Sequence, residues 1–514
     1  MAGFVTQAPA AASGMVRRDD RWIVYGLPVL VLIARLIVNP HYGFFRDELY
    51  FIVCGRRIAA GYVDQPVLVP FLAAASQAFG VSLVALRAIP AVFAAVTVWA
   101  AIVLSGEMGA GRWGQVMAAT SVALAPVLSA FGTTLGPDTV QMALWTLATL
   151  FVSRALAGRP RYWLAAGVTF GVAMEAKDSA LFIALAAPVA LILAGRGRAL
   201  ATRWFVGGVA LAILIALPNV LWQWRHDWPM LELLRNGRAA KNVLLTPLAF
   251  IGQQVQQANP VAASILVAGL CWCLLNREQR WIGVTYLLLL VTMIVLHGKA
   301  YYLAPIDATM FAAGGVAFER ALHRHVTFRG AVLACVLVSG FVLLPLTAPV
   351  LSETRLLAYR GWLQAHGVHF SEAERGRAAP LGAEYADMHG WRELAGQIAE
   401  IRRKIPSVPV TAAVFASDYG LASAILVLSP DGFVPHVISG HNAYWIWGPG
   451  DASSVAVIDV GGMLAARGEC GSVEVLGRLH GRYALPVYDG APLLLCRDMK
   501  ASWVKLWPML KRFW

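Results

Sequence analysis

The chain has 514 residues, of which 58% are hydrophobic and only 14% are charged. Soluble domains are about 45–50% apolar and about 25% charged, so this composition excludes a soluble globule, a disordered chain and a disulfide-stapled secreted module. The net charge is +13, which in a membrane protein indicates arginines retained on the cytoplasmic side rather than a nucleic-acid partner. The sequence therefore predicts a polytopic α-helical membrane protein.

Eleven apolar stretches approach the length of about 20 residues that a helix needs to cross a membrane. They lie near residues 22–38, 83–105, 113–131, 138–155, 162–176, 179–195, 203–221, 260–275, 282–297, 302–318 and 329–348. Two further apolar stretches, 66–79 and 247–258, each follow a polar loop. We interpret these two as helices at the membrane interface. If either one is a span instead, the orientation of everything after it inverts.

Arginine positions predict how the spans are oriented. With the N-terminus in the cytoplasm, arginines of the N-terminal segment and of five short loops fall on the cytoplasmic side, at 17–21, 112, 154–161, 196–203, 277–280 and 320–329. This is the positive-inside pattern. Acidic residues gather on the opposite face, at Asp47, Glu48, Asp64, Asp138 and Asp178. Acidic residues contribute little to topology, so their clustering predicts a functional site at the outer face.

The composition changes after about residue 350, where charged residues become frequent and no further span is predicted. Residues 391–404 have the pattern of an amphipathic helix. Short strands are predicted over residues 408–416, 454–460, 472–476 and 493–496. This part of the chain is therefore predicted to be a small α/β domain.

We predict two domains, a transmembrane catalytic domain over residues 1–349 and a soluble α/β domain over residues 350–514. Eleven spans place the second domain outside the cytoplasm. Cys470 and Cys496 would then lie in an oxidising compartment, where they either form a disulfide or remain two free thiols.

Two adjacent carboxylates, Asp47 and Glu48, follow the first span and lie among aromatic residues. Charged groups at a membrane boundary are costly unless they are paired or used. The pair therefore either takes part in catalysis or caps the next helix, with Arg46 as a salt partner. The loop continues with Gly61-Tyr62-Val63-Asp64-Gln65-Pro66, a turn that by itself is typical of an ordinary helix start.

More polar groups follow on the same predicted face, namely Asp138, Lys177, Asp178, Arg225, His226, Lys299, Tyr301 and Tyr302. Each has a simple structural explanation, such as a helix cap, an ion pair of Lys177 with Asp138 or Asp178, or snorkelling of Lys299. Together they suit a lipid that carries a phosphate. Cations would bind the phosphate, aromatic rings would bind a sugar or an isoprenoid chain, and an Asp would act as general base.

The ordered set of motifs resembles bacterial members of glycosyltransferase family 39, which have the GT-C membrane fold. This family includes protein O-mannosyltransferases and lipid A aminoarabinose transferases. The resemblance extends over nearly the whole chain and rests on residues 45–51, 61–66, 136–138, 177 and 299–305, with a further similar stretch at 439–449.

The resemblance implies an inverting glycosyltransferase at the outer face of the bacterial inner membrane. Such an enzyme moves a hexosyl or pentosyl group from a polyprenyl-phosphate donor to an envelope acceptor. Asp47 would be the base that activates the acceptor, Glu48 would support Asp47 or the acceptor, and Asp138 would be a second acidic residue of the catalytic cavity. The acceptor stays open between lipid A or another glycan, a lipid and a protein. Membrane lipids would surround the spans.

The resemblance also implies where the donor binds. Tyr62 and Asp64 match a motif near the donor phosphate or a metal, and Lys177 and Tyr302 match positions that contact the carrier phosphate. No cofactor is required, and a divalent metal near Asp64 stays open. Aminoarabinose transferases carry Glu-Lys where this chain has Asp64-Gln65. Gln65 is a further candidate for donor binding, and its role stays open because the cation is missing. The missing cation also argues against assigning this chain to the specificity of the aminoarabinose transferases.

Two other functions are compatible with part of this pattern. A transporter or flippase for a lipid-linked sugar would share the cationic and aromatic outer groups, but it predicts ionisable residues near the middle of spans and internal symmetry. The candidate residues lie at span ends instead. A non-catalytic assembly protein would tolerate loss of the Asp47–Glu48 pair, which is intact.

Overall fold

A computed structural model describes residues 21–240, 243–368, 370, 378–409, 412–430, 436–452 and 455–514. Three features predicted from the sequence fall partly or wholly outside these residues. They are the N-terminal arginines at 17 and 18, the middle of the strand predicted over 408–416, and the first residue of the strand predicted over 454–460.

The first two thirds of the chain fold into helices. The helices are Trp22–Gly26 (a π-helical turn), α1 Leu27–Val38, α2 Arg46–Arg56, α3 Leu68–Ser76, α4 Leu83–Glu107, α5 Arg112–Leu124, α6 Pro126–Phe131, α7 Pro137–Leu156, α8 Tyr162–Ala176, α9 Ala180–Leu193, α10 Arg203–Arg225, α11 Pro229–Ala240, α12 Pro247–Gln257, α13 Ala263–Leu275, α14 Arg280–Val295, α15 Asp307–Ala321, α16 Val326–Leu343 and α17 Glu353–Ala365. Short 3₁₀ turns lie at Gly197–Leu200, Ala300–Tyr302, Ala304–Ile306 and Leu344–Leu346.

Within the described residues, four helical segments are long and apolar enough to cross a membrane, namely Leu83–Glu107, Pro137–Leu156, Arg203–Arg225 and Val326–Leu346. Shorter apolar helices occupy Trp22–Val38, Ala180–Leu193, Ala263–Leu275 and Arg280–Val295. The predicted count of about eleven spans is therefore not confirmed and stays a prediction. The helices α3 and α12, predicted at the interface, have 9 and 11 residues, fewer than a span requires.

Two stretches that were predicted as single continuous spans are not continuous α-helices in the structure. The stretch 113–131 is two helices, because Pro126 has no N–H to continue the first one and begins the second. The stretch 302–318 begins with 3₁₀ turns, and its α-helix starts only at Asp307.

Glycines let the central helix α15 approach its neighbours closely. A methyl group on Gly315 would lie 2.2 Å from the carbonyl oxygen of Gly114 on α5, and one on Gly314 would lie 2.2 Å from that of Ile265 on α13. Small residues at such contacts allow helix backbones to meet in a membrane. The helix α15 is consequently buried along most of its length.

The last third of the chain contains a five-stranded sheet with the order β2-β1-β3-β5-β4. Its elements are α18 Ala383–Ala386, α19 Trp391–Lys404, β1 Ala413–Ala416, α20 Tyr419–Leu428, β2 Val437–Ile438, α21 Ala443–Trp447, β3 Ala456–Val460, α22 Met463–Ala466, β4 Cys470–Arg478, β5 Pro492–Met499 and α23 Trp503–Leu506, followed by a 3₁₀ turn at Trp507–Leu510. Strands β1, β2 and β3 are parallel, and β5 is antiparallel to β3 and β4.

The cysteines of the antiparallel pair form a disulfide, Cys470–Cys496, which is one of the two alternatives left open by the sequence. The amphipathic helix predicted over 391–404 is α19. The two-residue strand β2 was not predicted, because it is too short to show an alternating pattern.

The C-terminal part packs directly against the first loop of the helical part. Leu49 and Ile52 on α2 lie in the same buried cluster as Leu421 and Ile425 on α20. The backbone N–H of Arg46 also donates to the carbonyl oxygen of Asp387, at 3.1 Å. This contact brings residues of the helical part and of the C-terminal part around one cavity.

Candidate active site

The first turn of α2 sends its two carboxylates in different directions. Successive residues of a helix are rotated by about 100°, so Asp47 lines a cavity while the Glu48 side chain is 0% exposed. Glu48 accepts a hydrogen bond from the N–H of Phe45 at 2.8 Å, which caps the helix, and one from the N–H of Leu135 at 2.9 Å. The expected support of Asp47 or of the acceptor by Glu48 is therefore corrected to an internal, structural role.

Glu48 is paired with Arg87 on α4, at 3.0 Å, and both side chains are fully buried. Arg87 also donates to the carbonyl oxygens of Asn39, His41 and Gly43, at 2.7, 3.0 and 2.7 Å. One guanidinium thus holds the chain that leads into α2. Arg87 was missed as a functional residue, although an arginine inside an otherwise apolar stretch is a usable signal.

A cavity of about 330 Å³ lies beside the start of α2. Four predicted site residues line it, namely Asp47, Asp138, Lys299 and Tyr301. Glu384 and Asp387 line it as well. The cavity is therefore built by the helical part and the C-terminal part together.

The Asp47 carboxylate is held on one side only. Its Oδ1 accepts hydrogen bonds from Nε of Arg46 at 3.0 Å and from the hydroxyl of Tyr419 at 2.7 Å. Its Oδ2 has no hydrogen-bond partner among the residues that the structure describes, and the side chain is 33% exposed. Asp47 can therefore accept a proton at Oδ2 while its orientation is maintained through Oδ1.

Tyr419, at the start of α20, was missed because it lies 372 residues away in an apolar segment. Its ring packs 4.8 Å from that of Tyr50, and the guanidinium of Arg46 lies 5.1 Å from its centroid. Burial raises the pKa of the Tyr419 phenol well above its ordinary value. The phenol therefore stays protonated and serves as a hydrogen-bond donor.

Asp138 and Lys177 form an ion pair at the start of α7. The Lys177 Nζ lies 2.7 and 2.8 Å from the two carboxylate oxygens of Asp138. The same Nζ lies 4.2 Å from the ring centroid of Tyr302 and 5.3 Å from that of Tyr301, within cation–π range. Lys177 and Tyr302 are thus connected to the cavity through Asp138 and Tyr301.

Asp64 lies outside this cavity, at the junction with the C-terminal part. Its carboxylate oxygens accept hydrogen bonds from the Tyr50 hydroxyl at 3.0 Å and from Nδ2 of Asn442 at 3.1 Å. Burial raises the pKa of Asp64 to about 6. No group of three His, Cys, Asp or Glu residues in the described ranges is arranged to hold a metal ion.

This chain is similar to known proteins at two levels, a family model that matches one segment and solved structures that match nearly the whole chain. The family model described as dolichyl-phosphate-mannose-protein mannosyltransferase matches residues 64–222, a segment that holds Asp138 and Lys177. The crystal structure of ArnT from Cupriavidus metallidurans bound to undecaprenyl phosphate is 14% identical, with a TM-score of 0.58, and the match covers 95% of this chain and 99% of ArnT.

The apo structure of the same ArnT is also 14% identical, with a TM-score of 0.57 and coverage of 93% of this chain and 98% of ArnT. A comparison with curated proteins finds no significant match. The chain has the GT-C glycosyltransferase fold. The GT-C fold that the resemblance implies is thereby confirmed.

Within the GT-C fold, several predicted donor-binding residues are placed away from the cavity. Tyr62 is buried, and its hydroxyl donates to the carbonyl oxygen of Cys54 at 2.9 Å. Gln65 is buried in the same turn, where its carbonyl oxygen accepts the N–H of Tyr62 at 2.9 Å. Both residues shape the turn before α3, and neither lines the cavity that holds Asp47.

Arg225 and His226 lie at the end of α10 and are exposed. The imidazole of His226 stacks on the ring of Trp222, with centroids 4.2 Å apart. Neither residue lines the cavity that holds Asp47. Of the predicted site residues, Asp47, Asp138, Lys299 and Tyr301 line that cavity. Lys177 and Tyr302 lie beside it, in contact with Asp138 and Tyr301.

Proposed function

We propose that the chain is an inverting glycosyltransferase of the bacterial inner membrane that transfers a sugar from a polyprenyl-phosphate donor to an envelope acceptor. The observation that carries the proposal is the Asp47 carboxylate, oriented through Oδ1 and open at Oδ2, in a cavity that also holds Asp138 and Lys299. The shared fold with ArnT, whose crystal structure contains undecaprenyl phosphate, supports the choice of a polyprenyl-phosphate donor.

In this mechanism Asp47 removes the proton from the acceptor nucleophile at Oδ2. The nucleophile then forms a bond to the anomeric carbon of the sugar, on the face opposite the phosphate. The bond from that carbon to the phosphate oxygen breaks, and the phosphate keeps the electron pair. In this proposal Lys299, which lines the cavity, and Lys177, which is paired with Asp138 beside it, stabilise the negative charge on the leaving phosphate. The proposed step uses no metal ion.

The function is tested by supplying the purified protein in nanodiscs with a panel of undecaprenyl-phosphate sugars and with candidate acceptors, namely lipid A, a lipid and a peptide. We expect one donor to be consumed, with release of undecaprenyl phosphate and a product of inverted anomeric configuration. The same protein is also reconstituted into sealed vesicles, where movement of the donor across the bilayer without its consumption would show a transporter instead.

Lys177→Ala is expected to weaken binding of undecaprenyl phosphate about tenfold, which corresponds to about 1.4 kcal/mol, because it removes a cation near the phosphate. Titration of purified protein with undecaprenyl phosphate measures the change. The matched control is Lys404→Ala, at an exposed lysine of α19. An unchanged affinity would mean that Lys177 serves only to neutralise Asp138.

Tyr419→Phe is expected to lower kcat about tenfold, because the Asp47 carboxylate loses a charge-assisted hydrogen bond, while binding of undecaprenyl phosphate stays unchanged. The ring and its packing against Tyr50 are retained. Tyr444→Phe is the matched control, since its hydroxyl bonds to Ser423 at 2.9 Å, away from Asp47. Equal rates for wild type and Tyr419→Phe would show that Tyr419 has no part in orienting Asp47.

We also infer that the N-terminus is cytoplasmic and that residues 350–514 are periplasmic, with an odd number of spans between them. The Cys470–Cys496 disulfide supports an oxidising compartment. An alkaline phosphatase fused after Trp514 is expected to be active, because that enzyme works only outside the cytoplasm. The topology would be overturned if the alkaline phosphatase fusion were inactive and a second fusion, with a reporter that works only in the cytoplasm, were active at the same position.

A further inference from the structure

A second cavity, separate from the candidate active site, lies between α1, α5 and α16. It is a groove of about 270 Å³ whose lining is almost entirely aliphatic or aromatic. The exposed side chains of Leu30 and Phe341, 62% and 59% accessible, lie at the groove. The helix α16 is long and apolar enough to cross a membrane, and it is mostly unburied. The groove therefore faces the region that lipid chains occupy.

One charged residue, Arg35 on α1, lines this apolar groove and is only 7% exposed. Its terminal nitrogens donate to the hydroxyls of Thr133 and Ser129, at 3.1 and 2.8 Å. No carboxylate forms an ion pair with Arg35 in the part of the chain that the structure describes. A guanidinium has five N–H donors, and neutral hydroxyls solvate its charge without neutralising it. A buried cation of this kind calls for an anion.

The dimensions of the groove match one leaflet of a bilayer. Its lining follows α1 from Leu27 to Val38, which at 1.5 Å per residue is roughly 16 Å, about half of the hydrocarbon thickness of a membrane. Arg35 lies within one turn of the end of α1 that leads to the loop carrying Asp47. The cation therefore lies where a phosphate headgroup meets the acyl region.

Three hydroxyl side chains lie between Arg35 and the cavity that holds Asp47, namely Ser129, Thr133 and Thr347. Oγ1 of Thr347 bonds to Oγ of Ser129 at 3.0 Å, and Oγ1 of Thr133 bonds to the carbonyl oxygen of Thr347 at 3.1 Å. Thr133 and Thr347 line the Asp47 cavity, whereas Arg35 lines the groove. The two cavities share no lining residue, and Asp47 does not line the groove.

We propose that this groove binds one anionic phospholipid of the surrounding leaflet, with an acyl chain along α1, α5 and α16 and its phosphate at Arg35. The occupant is a glycerophospholipid rather than the polyprenyl-phosphate donor, because none of the residues that line the groove also lines the cavity that holds Asp47. The lipid would supply the anion that Arg35 lacks and would fix α1 against α16. This proposal does not depend on transfer activity.

The test uses full-length protein in detergent, with lipids retained by the protein counted by native mass spectrometry. The probes are dioleoylphosphatidylglycerol, dioleoylphosphatidylcholine and undecaprenyl phosphate. Wild-type protein is expected to retain one phosphatidylglycerol at least fivefold in preference to phosphatidylcholine. Arg35→Gln is expected to abolish that preference. Ala34→Trp, at an exposed position of the groove lining, is expected to prevent retention while Arg35 is intact.

Arg203→Gln, at an exposed arginine on α10, is the matched control and is expected to leave retention unchanged. Should Arg35→Gln fail to fold, as judged by gel filtration, Ala34→Trp still decides the matter. Retention that is equal for both phospholipids, or that survives Ala34→Trp, would overturn the proposal. So would an equal loss in Arg203→Gln, or displacement of phosphatidylglycerol by equimolar undecaprenyl phosphate.

Discussion

Asp47→Asn is expected to lower the rate of sugar transfer by about 10²- to 10⁴-fold, the usual contribution of a general base. The amide keeps the shape of the side chain and an oxygen for the hydrogen bonds from Arg46 and Tyr419. It cannot take a proton from the acceptor. Binding of undecaprenyl phosphate and the apparent Tm should stay close to those of the wild type. The measurement is single-turnover transfer by purified protein, from the donor that the wild type consumes.

Asp451→Asn is the matched control, because it makes the same chemical change at a fully exposed side chain of the C-terminal part. It should transfer at the wild-type rate. Wild-type activity in Asp47→Asn would remove Asp47 from the role of base. If Asp47→Asn also lost its affinity for the donor, the side chain would be a binding group rather than a base.

Arg87→Met is expected to destabilise the protein by about 3–5 kcal/mol, the range for breaking a buried ion pair by removal of one partner. The substitution leaves the Glu48 carboxylate buried without a cation and leaves the carbonyl oxygens of Asn39, His41 and Gly43 without their donor. We expect little folded protein after gel filtration and a much lower apparent Tm. Activity would fall with it, because the same contacts position α2.

The matched control is Arg154→Met, which breaks the partly exposed pair with Glu107 at 2.7 Å. Pairs of that kind contribute about 0–1 kcal/mol, so its Tm should change little. The double variant Glu48→Met with Arg87→Met should recover part of the lost stability, since apolar pairs often replace buried ion pairs without a penalty. Similar Tm values for Arg87→Met and Arg154→Met would contradict the structural role of the Glu48–Arg87 pair.

The helical character of the chain could be predicted from composition, and the cluster of carboxylates in the sequence pointed to two residues that line the cavity, Asp47 and Asp138. The number of spans could not, because hydropathy does not show which apolar helices are enclosed by their neighbours. The helix α15 illustrates this point, since it is apolar and yet packed on most sides by protein. The break at Pro126 was predictable from the proline itself, but the uniformly apolar residues around it led to the prediction of one continuous span.

The site was predicted in part, and the misses have physical reasons. Adjacency in sequence suggested a shared role for Asp47 and Glu48, but one helical step turns their side chains apart. Tyr419 and Asn442 act on Asp47 and Asp64 across more than 370 residues. Neither has a local pattern that indicates such a contact, although Asn442 lies in the tail stretch 439–449 that was noted for its resemblance.

The most direct test of the central claim is mass spectrometry of envelope glycans, glycolipids and polyprenyl-linked sugars from cells with the intact gene, a deletion, or the Asp47→Asn variant. We predict that one envelope product loses a single sugar in both mutants, and that the matching polyprenyl-phosphate sugar accumulates in both. A deletion that alters the envelope while Asp47→Asn leaves it unchanged would contradict the account, because the protein would then act by binding or transport.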